Sequence, residues 1–293
     1  MAIKIYTDAA SNLFENILEE KKLDITVLPM TVQIDDKTYQ CYKDKIDVAV
    51  FSKTFYELMK EGHQPKTSLP NPGLILEKME EEVKNGNKVL FVSLSAGVSG
   101  TYQTTLMLAK QVNESTNSDS IHVINSKTAG LGEGKIAMYA YEASKSEPDF
   151  DKLTAKVEEY VKHVRSEFFV DSLEYLTHTG RIKKIAAKVT SLLSIKPLLY
   201  GSDEGKIEPT SIVRGKIKAL KKLADQVNEH ITDKNSKIYI THCNDLEGAE
   251  KLKSMLEEMG IHDIEIYFYD LVTGSHVGPG TIAIFYDGEN RKV

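Results

Sequence analysis

Short apolar runs alternate along this chain with stretches whose apolar positions recur at helical spacing. Residues 3–6 read as a first strand, followed by a helix near 11–21 with Ser11 suited to its N-cap. Residues 25–29 read as a strand, and 31–34 with 37–39 as a hairpin around Asp35-Asp36. A helix near 48–60 follows, then a polar, proline-rich loop over 61–72. Pro72 suits the first turn of a helix running to about residue 84. The run 89–92 reads as a strand that breaks into SAGVSGT at 95–101 and continues as a helix through Leu106, Leu108 and Val112. A strand at 121–124 and a helix over 132–145 complete a β-α-β-α series, the pattern of a parallel sheet covered by helices. Ligands of such sheets sit at the carboxyl ends of the strands.

The composition turns polar at EPDFDK, 147–152, which marks the expected boundary between an N-terminal domain, 1–150, and a C-terminal α/β domain, 151–293. Past it the pattern predicts a helix near 153–164 and a strand at 168–170. The run 195–199, a turn at 201–205 and a helix over 216–230 come next. Strands at 237–241 and 264–269 flank a helix over 246–259. The last segment, TGSHVGPGTIAIFY, reads as a glycine loop feeding a final strand and returning toward the ligand site.

Length and charge narrow the classes. With 293 residues, two domains are expected. Lys and Arg number 37 against 43 Asp and Glu, a net charge of −6 without a long basic block, which argues against nucleic acid as a partner. Cys41 and Cys243 stand far apart with no ligand spacing and read as free thiols in a reducing cytoplasm. No signal segment and no run of about 18 apolar residues is present, so a cytoplasmic protein without a membrane span is expected.

The candidate chemistry gathers at four places. SAGVSGT, between strand and helix, places Ser99 and Gly100 at a helix N-terminus, where free N–H groups and a partial positive charge favour an anion. Ser99 could attack a substrate, hold an anionic group or shape a turn. The nucleophile elbow GxSxG is not met, because Thr101 stands where its last glycine belongs. His276 lies in GSHVGPG among Gly278 and Gly280, where it could meet a ligand or serve a structural role. Thr67 and Ser68 precede a helix, as caps or as further hydroxyls for the same anion. Arg181, beside Lys183 and Lys184, belongs to a solvated face or docks an acidic group. GLGEGK at 130–135 fails the phosphate-loop pattern at Ala129 and Ile136, and His122, His178 and His242 lack metal-ligand spacing.

TSLPNP at 67–72, SLSAGVSGTYQTT at 93–105, YLTHTGRI at 175–182, IKPLL at 195–199 and GSHVGPG at 274–280 occur in order, after an opening TDAASNL. Together they resemble the successive motifs of the DegV family. The resemblance implies a two-domain α/β fold that binds a long-chain fatty acid in a tunnel between the domains. It also implies work as the fatty-acid-binding subunit of a bacterial fatty acid kinase, not an enzyme alone. Such a subunit presents the acyl carboxylate to a separate ATP-binding kinase subunit, which makes acyl phosphate for phospholipid synthesis. ATP then belongs to the partner, and this chain needs no cofactor or metal. By the same resemblance Thr67, Ser99 and His276 bind the carboxylate. Ser68, Gly100, Gly278 and Gly280 support them, and an exposed Arg181 near the mouth serves docking or phosphoryl transfer. Asn125 departs from the family's usual aspartate and His178-Thr179 from its usual approach to GRI. A long tail gains ~0.8 kcal/mol per buried CH₂, on the order of 10 kcal/mol for sixteen carbons before ordering costs, so the headgroup needs few donors. Transient contact with a membrane surface fits such a ligand. The rival readings are a Ser/His hydrolase acting on an acyl ester and a module for a small polar metabolite.

Overall fold

The computed structural model describes residues 2–42, 48–182 and 195–291, and three sheets organise it. The first half runs β1 (Ile3–Asp8), a 3-10 turn (Ala9–Ser11), α1 (Glu15–Lys21), β2 (Ile25–Leu28), β3 (Met30–Ile34), β4 (Lys37–Cys41), α2 (Val48–Lys60), β5 (Lys66–Thr67) and α3 (Pro72–Lys84). It continues with β6 (Lys88–Ser93), α4 (Thr101–Thr116), β7 (Ile121–Asn125) and α5 (Leu131–Ser144). The second half holds α6 (Phe150–Val161), β8 (Val164–Phe169), α7 (Glu174–His178), β9 (Ile195–Gly201), β10 (Ile207–Arg214) and α8 (Lys216–His230). It closes with β11 (Ile238–His242), α9 (Leu246–Glu258), β12 (Ile264–Phe268), α10 (Leu271–Val277) and β13 (Ile282–Asp287).

Strands β2-β1-β6-β7 form an all-parallel sheet. Its β6 is buried almost end to end, which explains a continuous apolar run where a half-exposed strand would alternate. A six-stranded sheet, β10-β9-β8-β13-β11-β12, is antiparallel except for the β11–β12 pair. A small antiparallel sheet, β4-β3-β5, carries Thr67 opposite Val32. Helices α3 and α4 cover the outer face of the parallel sheet, and α8 and α9 the outer face of the six-stranded one. Helix α5 packs against β1 and β6 of one sheet and β8 and β13 of the other, in a shared core that includes Ile5, Leu90, Phe168 and Phe285.

Glycines let α5 sit that close. A Cβ on Gly132 would collide with the Thr128 hydroxyl, and one on Gly134 with the carbonyl of Ser11. GLGEGK is therefore a close-packed helix start, and its Glu133 and Lys135 are buried.

Several local readings change. Ser11 caps no helix: it lies in the 3-10 turn that Asp8 caps, and α1 begins only at Glu15. Helix α6 ends at Val161 and β8 begins at Val164, earlier than its apolar end suggests, because Arg165 and Glu167 bury as a pair inside the strand. Strand β10 was not anticipated: Pro209 and an exposed edge remove the apolar alternation. GSHVGPG is not a loop throughout, since its first residues finish α10.

Candidate functional site

Strand β5 is only two residues long, yet its pairing with β3 fixes where Thr67 points. The Thr67 hydroxyl meets His276 Nε2 at 3.0 Å. His276 stands in the last turn of α10, a helix whose N-terminus is held by Asp270, which accepts the N–H of Thr273 at 2.7 Å. Burial, with Arg181 nearby, pushes the His276 pKa down to about 4, so the ring is neutral near pH 7. Its Nδ1 is buried and has no hydrogen-bond partner among the described residues. A neutral ring offers one donor and one acceptor, so one of those functions is left for a ligand or water.

Ser99 lies just before α4. Its hydroxyl oxygen accepts the N–H of Thr101 at 3.2 Å and shares a hydrogen bond with the Thr101 hydroxyl at 2.9 Å. The loop that carries it is pinned from below. Asn125 accepts the N–H groups of Ala96 and Lys127, both at 3.1 Å. Ser95 donates to the Gly205 carbonyl at 2.7 Å, joining the loop to the β9–β10 turn of the other sheet. Asn125 thus does the bonding that an aspartate could do there.

Thr67, Ser68, Ser99, Arg181 and His276 all line one cavity between the two sheets. It encloses about 920 Å³ counted with its open mouth. Leu94, Phe168, Leu176, Val272 and Phe285 make its middle apolar. The structure thus brings these five residues to one cavity, but among them it hydrogen-bonds only Thr67 to His276. Ser99 is turned to Thr101, so its partner is not the histidine a hydrolase pair would require. Ser68, which is exposed, shares a hydrogen bond with the Thr31 hydroxyl at 2.6 Å. Arg181 is half-buried, not fully exposed: its Nε donates to the Val98 carbonyl at 3.3 Å and its guanidinium also reaches the Thr179 carbonyl. Burial lowers its pKa from the usual arginine value. Lys183 and Lys184 lie outside the described residues.

The three glycines take other roles. Gly100 has open space where a Cβ would go, with only Leu69 at 3.8 Å. Gly278 and Gly280 have positive φ, and their missing Cβ atoms leave room for Tyr175 and Asp171. None of the three lines the cavity. Gly278 and Gly280 seat the α10–β13 connection on the segment before and within α7.

Sequence reasoning passed over the groups behind α10. Asn12, at φ 60°, donates through Nδ2 to the Phe268 carbonyl at 3.0 Å and accepts the Asp270 N–H. Asp8, Glu133 and Asp270 are three fully buried carboxyls that repel one another. Burial raises Asp8 to about 6, Asp270 to about 7 and Glu133 well above its usual value. The available signal was the polar run TDAASN at the end of β1, which carries Asp8 and Asn12. Among the described residues no acidic, His or Cys cluster could hold a metal, and no helix is long and apolar enough to cross a membrane. Cys41 and Cys243 are free, their thiols pushed up by burial.

Fold and site define a mixed α/β protein that keeps an apolar cavity, polar at its Thr–His end, between two sheets. Residues 2–289 match the model of the DegV family, and the chain belongs to that family. A DegV domain-containing protein of Clostridium perfringens is 35% identical over 290 residues, covering 98% of each chain. The crystal structure of a fatty acid binding DegV family protein from Streptococcus agalactiae superposes with a TM-score of 0.85 at 29% identity, covering 99% of this chain and 100% of that one. The Fatty Acid Kinase B3 protein of Streptococcus pneumoniae, loaded with linoleic acid, gives a TM-score of 0.80 over 99% of this chain and 100% of its own. At 18% identity that likeness speaks for the fold.

Proposed function

We propose that this protein binds a long-chain fatty acid in the cavity between its sheets, with the carboxylate at Thr67, Ser99 and His276. The observation that carries the reading is an apolar cavity with a neutral, half-satisfied histidine bonded to a threonine at one end. Tail burial supplies the affinity, on the order of 0.8 kcal/mol per CH₂, and the polar pair fixes which end faces out. The fatty acid binding relative from Streptococcus agalactiae supports it.

In this reading the chain works in the cytoplasm as the lipid-binding subunit of a fatty acid kinase, with residues 1–150 and 151–293 as its two domains. The bound carboxylate is presented to a separate ATP-binding subunit for conversion to acyl phosphate, feeding phospholipid synthesis. Arg181, between the cavity and the surface, takes part in docking or phosphoryl transfer. Leu69, 38% exposed beside Gly100, offers an apolar point for passing contact with a membrane surface while the acid is loaded. No cofactor is required of this chain.

Native mass spectrometry of the purified protein, followed by extraction, tests the binding. A long-chain fatty acid is expected, and an empty cavity or a polar metabolite refutes the reading. Incubation with ATP, fatty acid and a cognate kinase subunit tests presentation. Acyl phosphate is expected, and unchanged turnover in Arg181→Ala refutes the role of Arg181.

A further inference from the structure

The cavity has a second polar region, away from the Thr67–His276 pair. Strand β8 sends alternate side chains to opposite faces. Val164 and Phe168 join the core shared with the parallel sheet, whereas Phe169 joins the core under α8 and α9. Ser166 shares the face of Phe168 and lines the cavity with it. It is only 9% exposed, and its hydroxyl makes no hydrogen bond with any described residue. That hydroxyl opens onto the cavity, and the described residues offer it no partner, so a ligand that fills the cavity without bonding it would strand it at a cost of about 1–3 kcal/mol.

The surroundings keep room for such a partner. The residue facing Ser166 is Gly201, where a Cβ would stand 2.5 Å from the Ser166 hydroxyl oxygen. Any larger residue would close the space in front of the hydroxyl. Lys127 adjoins the same place: its carbonyl oxygen lies 3.8 Å from that Cβ position, and the residue lines the cavity in a left-handed conformation, φ 55°. Lys206 nearby pairs with Glu204, but Lys127 forms no ion pair among the described residues. Ser95, on the same cavity, is already engaged with the Gly205 carbonyl at 2.7 Å. Ser166 pairs across the sheet with Phe285, three residues into β13 from Ile282, which lies opposite Phe169. At ~3.3 Å per residue this sets Ser166 about 10 Å along the sheet from the Phe169–Ile282 pair that follows the α10 end.

We propose that Ser166 and Lys127 form a second polar subsite and that the preferred ligand is an oxygenated fatty acid, a long-chain acid bearing a hydroxyl along its chain. The inference rests on the fatty acid reading of the same cavity. Ser166 both donates to and accepts from the ligand hydroxyl, Lys127 donates to it, and Gly201 leaves the space it occupies. An unsubstituted chain would leave Ser166 facing methylene groups. A site built to bond a hydroxyl discriminates strongly against an analogue that lacks it, because its own polar groups are then stranded.

Delipidated protein is titrated with octadecanoic acid, with a set of hydroxyoctadecanoic acids differing in hydroxyl position, and with octadecanedioic acid. One hydroxy isomer is expected to bind about tenfold or more tighter than octadecanoic acid, the step worth 1.4 kcal/mol. In Ser166→Ala that ratio is expected to fall to about one, and in Lys127→Met to shrink. Selectivity is read as a ratio within each variant, so a general loss of stability does not imitate the result. A wild type that binds octadecanoic or octadecanedioic acid more tightly than every hydroxy isomer overturns the subsite while leaving the fatty acid reading intact. So does a preference that survives Ser166→Ala. Failure to bind any of these acids overturns both.

Discussion

The side-chain oxygen of Asn12 accepts the backbone N–H of Asp270 at 2.5 Å, joining residues 258 apart in sequence. The same side chain donates to the Phe268 carbonyl, so one amide holds the end of β12 and the start of α10. Asn12→Ala would strand a buried N–H and a carbonyl, at about 1–3 kcal/mol for each unsatisfied group. We expect a lower urea midpoint for Asn12→Ala and weaker fatty acid retention, since α10 carries His276. Asn12→Gly, which tolerates the left-handed backbone at this position, should show the same loss. Wild-type stability in both variants would exclude this role for Asn12.

Asp270 should give the protein a measurable pH signature. Its carboxyl is raised to about 7 by burial and by the neighbouring carboxyl of Asp8, against about 4 in an unfolded chain. Between those values the folded state binds more protons than the unfolded one. The stability from this group is therefore complete below about pH 4 and is lost as pH rises through about 7. Asp270→Asn keeps a capping oxygen but cannot ionise. The difference in unfolding free energy, wild type minus variant, should fall by a few kcal/mol at most between about pH 5 and about pH 8. A difference that stays level or grows with pH would show that Asp270 ionises freely in the folded state.

Much of the fold was legible because burial imposes period. Helices over Val48–Lys60, Pro72–Lys84 and Lys216–His230 have the bounds their patterns predict, helped by Pro72 at one start. The parallel strands showed as apolar runs because helices bury both faces. Strand β10 was hidden because an exposed edge needs no apolar alternation, and α10 because Gly274 and Ser275 weaken its helical signal. Ser275 is buried and donates to the Leu271 carbonyl, and Gly274 admits Tyr56, reasons visible only in three dimensions. At the site, residue types marked Thr67, Ser99 and His276 as candidates. Their relations were not legible: the Thr67–His276 bond spans 209 residues and depends on β5 pairing with β3.

That bond allows a test of the headgroup end. His276, held down to about 4, should stay neutral across the physiological range in the ligand-free protein. Its ring resonances should therefore not shift between about pH 5.5 and about pH 8. Binding a carboxylate beside the ring favours the protonated form, so fatty acid should raise the titration midpoint. A free-protein midpoint near the ordinary value, about 6.5, would mean that the ring is not buried as described. Thr67→Val removes the hydroxyl at nearly constant volume. We expect about tenfold weaker binding of octadecanoic acid with little change in thermal stability, a cost of about 1.4 kcal/mol.

The two glycines of SAGVSG should respond in opposite ways. Gly97 lies where a Cβ would collide with the carbonyl oxygen of Gly205, in the turn between β9 and β10. Neither backbone can retreat cheaply, because Ser95 donates to that same carbonyl at 2.7 Å. Gly97→Ala should therefore push the loop away from the six-stranded sheet and break the seam at one wall of the cavity. Overpacking of this kind costs about 1–3 kcal/mol. Gly100, three residues on, has φ −79°, an ordinary helical value, and its nearest neighbour is Leu69 at 3.8 Å. Gly100→Ala should leave the thermal midpoint within about a degree of wild type, the lower chain entropy of the unfolded alanine form helping slightly. Thermal unfolding of the two variants side by side decides the matter. Equal losses would mean that the loop needs flexibility at both positions, and a neutral Gly97→Ala would mean that the two sheets do not meet at Gly205.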